Sequence, residues 1–219
     1  MPGPRRPEYP MIVEFGELDQ QWALEAACKL ETELFGAQAW DLQTLRHEAA
    51  DTSRIYLADV VDVNDVGDDA ESSDVIDTTD SADATEGNVR LVQKSIKPTQ
   101  PVMDDEIMRG YVGMWHADGE AEILTIGVAK RFQRKGIAKN LLDRLIQYAR
   151  LYDVRRIKLE VRVDNEPAKR LYRSRGFTDI GLLRHYYQPG GVDATQMVLD
   201  LETHIMGFGS EKQNMEHNQ

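Results

Sequence analysis

Lys130, Arg131, Arg134, Lys135 and Lys139 crowd a short stretch that also contains Gly136. That stretch opens an amphipathic run at residues 137–152, whose apolar positions Ile137, Leu141, Leu142, Leu145, Ala149 and Tyr152 recur at helical spacing. The cations thus sit at a predicted helix N-terminus, where the backbone dipole already contributes about half a positive charge. They repel the helix end unless an anion occupies the free backbone N–H groups, with Gly136 admitting close approach and the basic side chains closing over it. A phosphate cradle and a solvated basic turn are the two readings. A chain of formal net charge -12 that gathers its cations here favours the cradle. Neither G-x-x-x-x-G-K-S/T nor G-x-G-x-x-G occurs, so a nucleoside triphosphate loop and a dinucleotide-binding turn are disfavoured.

A second set of residues lies just downstream. Residues 155–163 alternate, with Ile157, Leu159, Val161 and Val163 on one face and Lys158, Glu160 and Arg162 on the other, which predicts a strand. Asp164 or Asn165 caps the short helix that follows, with Pro167 in its first turn and Ala168, Leu171 and Tyr172 along one side. Gly176 ends it. Glu160 and Tyr172 therefore stand on consecutive elements within reach of one pocket. Each also has an ordinary reading, as a solvated strand glutamate and as a packed helix aromatic.

The elements that must position these groups follow from the rest of the chain. Residues 11–15 alternate as a short strand, and Asp19 caps a helix to Phe35 with an apolar row at Trp22, Ala26, Leu30 and Leu34. Gly36 ends that helix, and Asp41 caps a second one carrying Leu42, Leu45 and Ala49. Trp40 and Phe35 are packing anchors between the two helices or, at the turn, a substrate wall. Residues 55–61, 108–116 and 121–128 read as strands, the last two joined by a hairpin turn at Asp118-Gly119. Residues 177–187 and 195–201 form a terminal hairpin about Pro189-Gly190-Gly191.

Three segments fall outside this pattern. Pro2, Pro4, Pro7 and Pro10 make residues 1–10 a mobile arm, and residues 206–219 form a flexible tail. No Lys or Arg occurs between Ile55 and Val89, while Asp, Glu, Ser and Thr are abundant there. Such composition buries too little apolar surface to offset its ordering entropy, so about 64–105 reads as a disordered acidic insert between two strands. Its acids lack the EF-hand pattern. The expected organisation is one domain, residues 11–205, with that insert.

Bulk properties narrow the function. The pI of about 4.9 argues against direct nucleic-acid binding and suits an amine-bearing partner. Cys28 is the sole cysteine and lies in a helical apolar pattern, so it reads as core; a disulfide framework is excluded and a reducing cytoplasm is expected. The five histidines show no ligand spacing, and no metal site is expected. No run approaches the roughly 18 apolar residues of a membrane span, and residues 1–10 lack the apolar core of a signal peptide, so a soluble cytoplasmic protein is expected.

The order helix-helix, antiparallel strands, strand-cradle-helix, strand-helix, hairpin resembles the GNAT N-acetyltransferases, as does the Gln/Arg-x-x-Gly-x-Gly/Ala signature at residues 133–138. LEVRVDNEPAKRLYRSRGF at residues 159–177, followed by Arg184-His185-Tyr186-Tyr187, resembles the RimI family within them, as do the acidic residue, Phe and Trp of residues 31–40. The similarity covers residues 11–201 apart from the insert. It implies an α/β (α+β) GNAT acyl-CoA N-acyltransferase fold, a mixed central sheet flanked by helices. It also implies acetyl-CoA as co-substrate, with Ile126, Gly127 and Val128 on the acetyl-pantetheine arm. Arg134, Lys135, Gly136, Ile137, Ala138 and Lys139 would bind the pyrophosphate, and Asn165 would hydrogen-bond CoA. Glu160 matches the general base and Tyr172 the general acid, with backbone N–H near Val128 facing the oxyanion. The implied reaction is direct acetylation of a protein N terminus, the N-terminal alanine of a small-subunit ribosomal protein. Lysine side chains or small amines as acceptors, and a non-catalytic acetyl-CoA-binding module, are the competing readings.

Overall fold

The computed structural model describes residues 11–62 and 106–201, so the expectations for residues 1–10, for the insert and for the tail lie outside the described residues. Its elements follow in the order β1 (Met11–Glu14), α1 (Gln20–Phe35), α2 (Leu42–Ala49), β2 (Arg54–Asp62), β3 (Glu106–Ala117), β4 (Glu120–Val128), α3 (Ile137–Leu151), β5 (Arg156–Arg162), α4 (Glu166–Arg173), β6 (Thr178–Tyr187) and β7 (Val192–Asp200). The strands form one mixed sheet in the order β1-β2-β3-β4-β5-β7-β6. Most pairs are antiparallel, and β4 and β5 run parallel through Glu120↔Arg156, Ala121↔Ile157 and Glu122↔Lys158. The chain groups into two compact units, one holding described residues up to 115 together with 123–147, the other 116–122 and those from 148 onward.

Local chemistry sets the helix starts of the first unit. Asp19 accepts the Trp22 N–H at 2.9 Å and Asp41 accepts the Thr44 N–H at 2.7 Å, each side chain satisfying an orphan donor of the first turn. The face that α1 buries is not the expected row. Ala23, Leu24, Ala27, Leu30 and Glu31 are buried, whereas Trp22, Ala26 and Leu34 are half-buried. Small side chains at 23 and 27 let the helix lie close to its support. Gly127 accommodates the same approach, because a Cβ there would stand 2.7 Å from the Leu34 side chain. Cys28, expected in the core, is half-buried beside α2, near Leu42. Phe35 is exposed at the helix end and so does not anchor the two helices together.

Strand β2 is buried along almost its whole length, as a strand flanked by β1 and β3 should be. That burial includes Asp59, which receives the Arg109 Nε–H at 2.6 Å from β3. Burial pushes the Asp59 carboxyl above its ordinary range, and Arg109 opposes the shift without cancelling it. Helix α3 packs Ile137, Leu141, Leu142 and Leu145, as its period predicts.

In the second unit β5 follows its alternation, with Ile157, Leu159 and Val161 buried and Lys158, Glu160 and Arg162 half-buried. Val163 falls beyond the strand and is only half-buried. Tyr152, expected in the apolar stripe of α3, lies just past its end, half exposed and stacked 4.6 Å from the His116 ring. Asn165 is the cap of α4, its Oδ1 accepting the Ala168 N–H at 3.2 Å, while Asp164 pairs instead with Arg162. Lys169 fastens α4 back onto the chain before it, donating to the Val163 carbonyl at 2.6 Å.

Candidate active site

The first unit carries the candidate cradle. Gln133, the first residue of the signature, donates from Nε2 to the Val128 carbonyl at 3.0 Å, which folds the loop back onto the end of β4. Buried Phe132 and Ile137 bracket the loop and anchor it, leaving Arg134, Lys135, Gly136 and Lys139 exposed and Ala138 half-buried between them. Positive φ at Arg134 (65°) and Gly136 (81°) breaks the extended path, the backbone alternation that lets successive N–H groups face one anion. Asn140 N–H to Gly136 O, at 3.0 Å, is the first bond of α3, so the N–H groups of Ile137, Ala138 and Lys139 precede any intrahelical acceptor. Arg134, Lys135 and Lys139 form no ion pair among the described residues. Arg131 turns away onto the Phe132 ring at 4.6 Å, and the Lys130 N–H is held by Glu33 at 2.7 Å. Three exposed cations around a helix N-terminus make a donor set suited to a pyrophosphate. Ile126, Gly127 and Val128 close β4 just ahead of this loop.

The same unit holds a cluster the sequence reading did not assemble. Glu31, 3% exposed, accepts from the Tyr111 hydroxyl, from Thr125 Oγ1 at 3.2 Å and from the Trp40 backbone N–H at 3.0 Å. One carboxylate thereby ties α1 to the turn before α2 and to β3 and β4. Burial, and then the neighbouring Glu31 charge, push the Tyr111 phenol far above its ordinary value. An acid on the buried face of a helix was the available signal, but it shows only once that face is known.

The second unit holds the proposed proton-handling groups. Glu160 is half-buried on β5, and its Oε1 accepts from Gln196 Nε2 at 2.9 Å; among the described residues no donor reaches Oε2. The Tyr187 hydroxyl donates to the Glu160 backbone carbonyl at 3.0 Å. Burial, Tyr186 and Glu160 push that phenol up to about 12, with Arg162 opposing them. Tyr186, edge-on to Tyr187 at 5.1 Å, is also raised, by burial and then by Glu160 and Glu122. Tyr172 is buried on α4 against the Phe177 ring at 5.7 Å, and its phenol is pushed well up by burial, then by Tyr187. Glu160, Tyr186, Tyr187 and Gln196 thus form one cluster, with Tyr172 reaching it through Tyr187 and Asn165 occupied as a helix cap.

The Acetyltransferase (GNAT) family pattern matches residues 86–177. Residues 86–177 are therefore similar to GNAT acetyltransferase domains. A crystal structure of the ribosomal-protein-S18-alanine N-acetyltransferase from Escherichia coli superposes with a TM-score of 0.59 over 90% of this chain and 100% of that one. At 21% identity the likeness establishes the GNAT fold alone. Arabidopsis thaliana NAA60 in complex with acetyl-CoA superposes similarly, with a TM-score of 0.60, 16% identity, and coverage of 88% of this chain and 99% of that one. In sequence, N-alpha-acetyltransferase RimI of Mycobacterium tuberculosis is 47% identical over 81 residues, 37% of this chain. The matched part is 49% of that relative, so the chain spans about half its length. GNAT proteins use acetyl-CoA, and among the described residues no group of side chains could hold a metal ion. No described helix is long and apolar enough to cross a membrane.

Proposed function

We propose that this GNAT domain transfers acetyl from acetyl-CoA to the N-terminal α-amine of a protein, the N-terminal alanine of a small-subunit ribosomal protein being the favoured acceptor. The observation that carries the reading is the Glu160 cluster, a half-buried carboxylate with one oxygen held and the other open, bordered by tyrosines. The names of the Mycobacterium tuberculosis and Escherichia coli relatives support the acceptor class.

Acetyl-CoA supplies an activated thioester. Exposed Arg134, Lys135 and Lys139, with Gly136 admitting close approach and the free first-turn N–H groups of Ile137, Ala138 and Lys139, hold its pyrophosphate. The β4 backbone at Ile126, Gly127 and Val128 holds the pantetheine arm, with backbone N–H near Val128 as oxyanion donor. The amide nitrogen of Asn165 remains available to CoA, since only its oxygen serves the cap. Glu160 takes the amine proton at Oε2, directly or through water. Tyr172 stays protonated through its burial. A thiol ionises near about 8.5, so the leaving sulfur is a weaker base than this phenolate, and Tyr172 serves it first as a hydrogen-bond donor. An α-amine ionising near about 8 is roughly a tenth neutral at pH 7, whereas a lysine near about 10.4 is neutral in only a few parts in ten thousand. A single half-buried glutamate is adequate for the former.

Steady-state assays with a peptide beginning in free alanine, and with the same peptide N-terminally blocked but carrying lysines, test the acceptor. Turnover confined to the free α-amine is expected. Equal turnover of the blocked peptide overturns it in favour of lysine acceptors, and no turnover of either leaves the non-catalytic binding reading.

A further inference from the structure

Gln196 lies directly across from Glu160 in the β5–β7 ladder, and its amide N–H occupies Oε1. Its other ladder partner is Gly181 of β6, where an added Cβ would stand 3.8 Å from the amide oxygen of Gln196. No side chain on that strand position competes for the amide. The Tyr187 hydroxyl is committed to the Glu160 backbone carbonyl and so does not compete for the carboxyl group. One donor therefore meets one carboxylate oxygen.

From this arrangement we infer that Gln196 is a positioning residue for acetyl transfer. The inference rests on Glu160 being the base. A free glutamate side chain samples many rotamers, and a fixed hydrogen bond at one oxygen removes most of that freedom before the acceptor arrives. It also settles which oxygen takes the proton. When the amine proton reaches Oε2, Glu160 becomes a neutral carboxylic acid whose Oε1 is a carbonyl oxygen, still able to accept from Gln196. The contact survives the transfer, so the amide holds the carboxyl in one orientation before and after it. Gln196 touches neither substrate in this scheme and acts only through Glu160.

The test is a double-mutant cycle read by steady-state kinetics with acetyl-CoA and a peptide beginning in free alanine. Gln196→Met keeps the length of the side chain and removes its donor; Gln196→Leu repeats the test with a different shape, and thermal melts check that each variant is folded. In the otherwise unchanged protein kcat is expected to fall about tenfold, the worth of one charge-assisted hydrogen bond, with KM for acetyl-CoA unchanged. In a Glu160→Gln background the same substitution is expected to change kcat less than about twofold. An undiminished loss in that background means a structural role and overturns the inference. So does an unchanged kcat for both Gln196 variants when Glu160→Gln alone is slow, and then Glu160 still stands as the base. Normal kcat for Glu160→Gln overturns the base assignment itself.

Discussion

Replacing Glu31 tests whether a single buried carboxylate holds the turn between α1 and α2 to the sheet. Glu31→Ala removes the acceptor of three donors, the Tyr111 hydroxyl, Thr125 Oγ1 and the Trp40 N–H. Tyr111 is fully buried, so its hydroxyl cannot turn to water in place of the lost partner. An unsatisfied buried donor costs about 1–3 kcal/mol, and half-buried Thr125 and Trp40 recover part of theirs from solvent. The expected loss is about 3–5 kcal/mol, a large share of the roughly 5–15 kcal/mol of an ordinary domain. Glu31→Gln should cost about 1–2 kcal/mol, because an amide has one acceptor oxygen where the carboxylate uses two. Urea unfolding followed by circular dichroism and tryptophan fluorescence measures both losses, compared at unchanged m-value. Tyr111→Phe should be destabilising in the parent and less so beside Glu31→Ala, since it then deletes a hydroxyl whose remaining partner is the long contact to Thr125 Oγ1 at 3.5 Å. A loss below about 1 kcal/mol for Glu31→Ala would refute the network as a source of stability.

Two other expectations follow from the geometry. The Asp59 carboxyl is raised by burial above its ordinary 3.8, so its contribution to stability is fully present below that value and is lost as pH rises through the higher folded value. The stability difference between the parent and Asp59→Asn should therefore shrink as pH rises from about 4, measured by urea unfolding across pH; a difference independent of pH contradicts the shift. Arg134→Ala with Lys135→Ala should weaken acetyl-CoA binding about tenfold or more by calorimetry, with a smaller deficit at high salt, and unchanged affinity contradicts the cradle.

Much of the local structure was legible because its causes are local. Asp19 and Asp41 cap helices three residues from the N–H donors they accept, and the alternation of β5 places Glu160 on the polar face without reference to any other strand. The basic start of α3 was equally legible, because a crowd of cations at a helix start is an electrostatic anomaly within a few residues. The buried face of α1 was not. Trp22 drew the apolar row toward itself, while Ala23 and Ala27, residues compatible with either environment, were the ones buried.

What no local pattern could decide was partnership across the chain. Glu31 meets Tyr111 at a separation of 80 residues and Thr125 at 94, and Gln196 meets Glu160 at 36. The last pair exists because β7 pairs antiparallel with β5 in one register; a slip of one residue would send Gln196 to the other face. Residue types and spacing therefore marked the basic start of α3, the strand glutamate Glu160 and the helix tyrosine Tyr172 as candidates, while the roles proposed for the last two come from the resemblance to the GNAT enzymes. Which oxygen of that carboxylate is held, and which buried acid fastens the first two helices, depends on strand register and helix rotation, quantities set by the packing of distant segments.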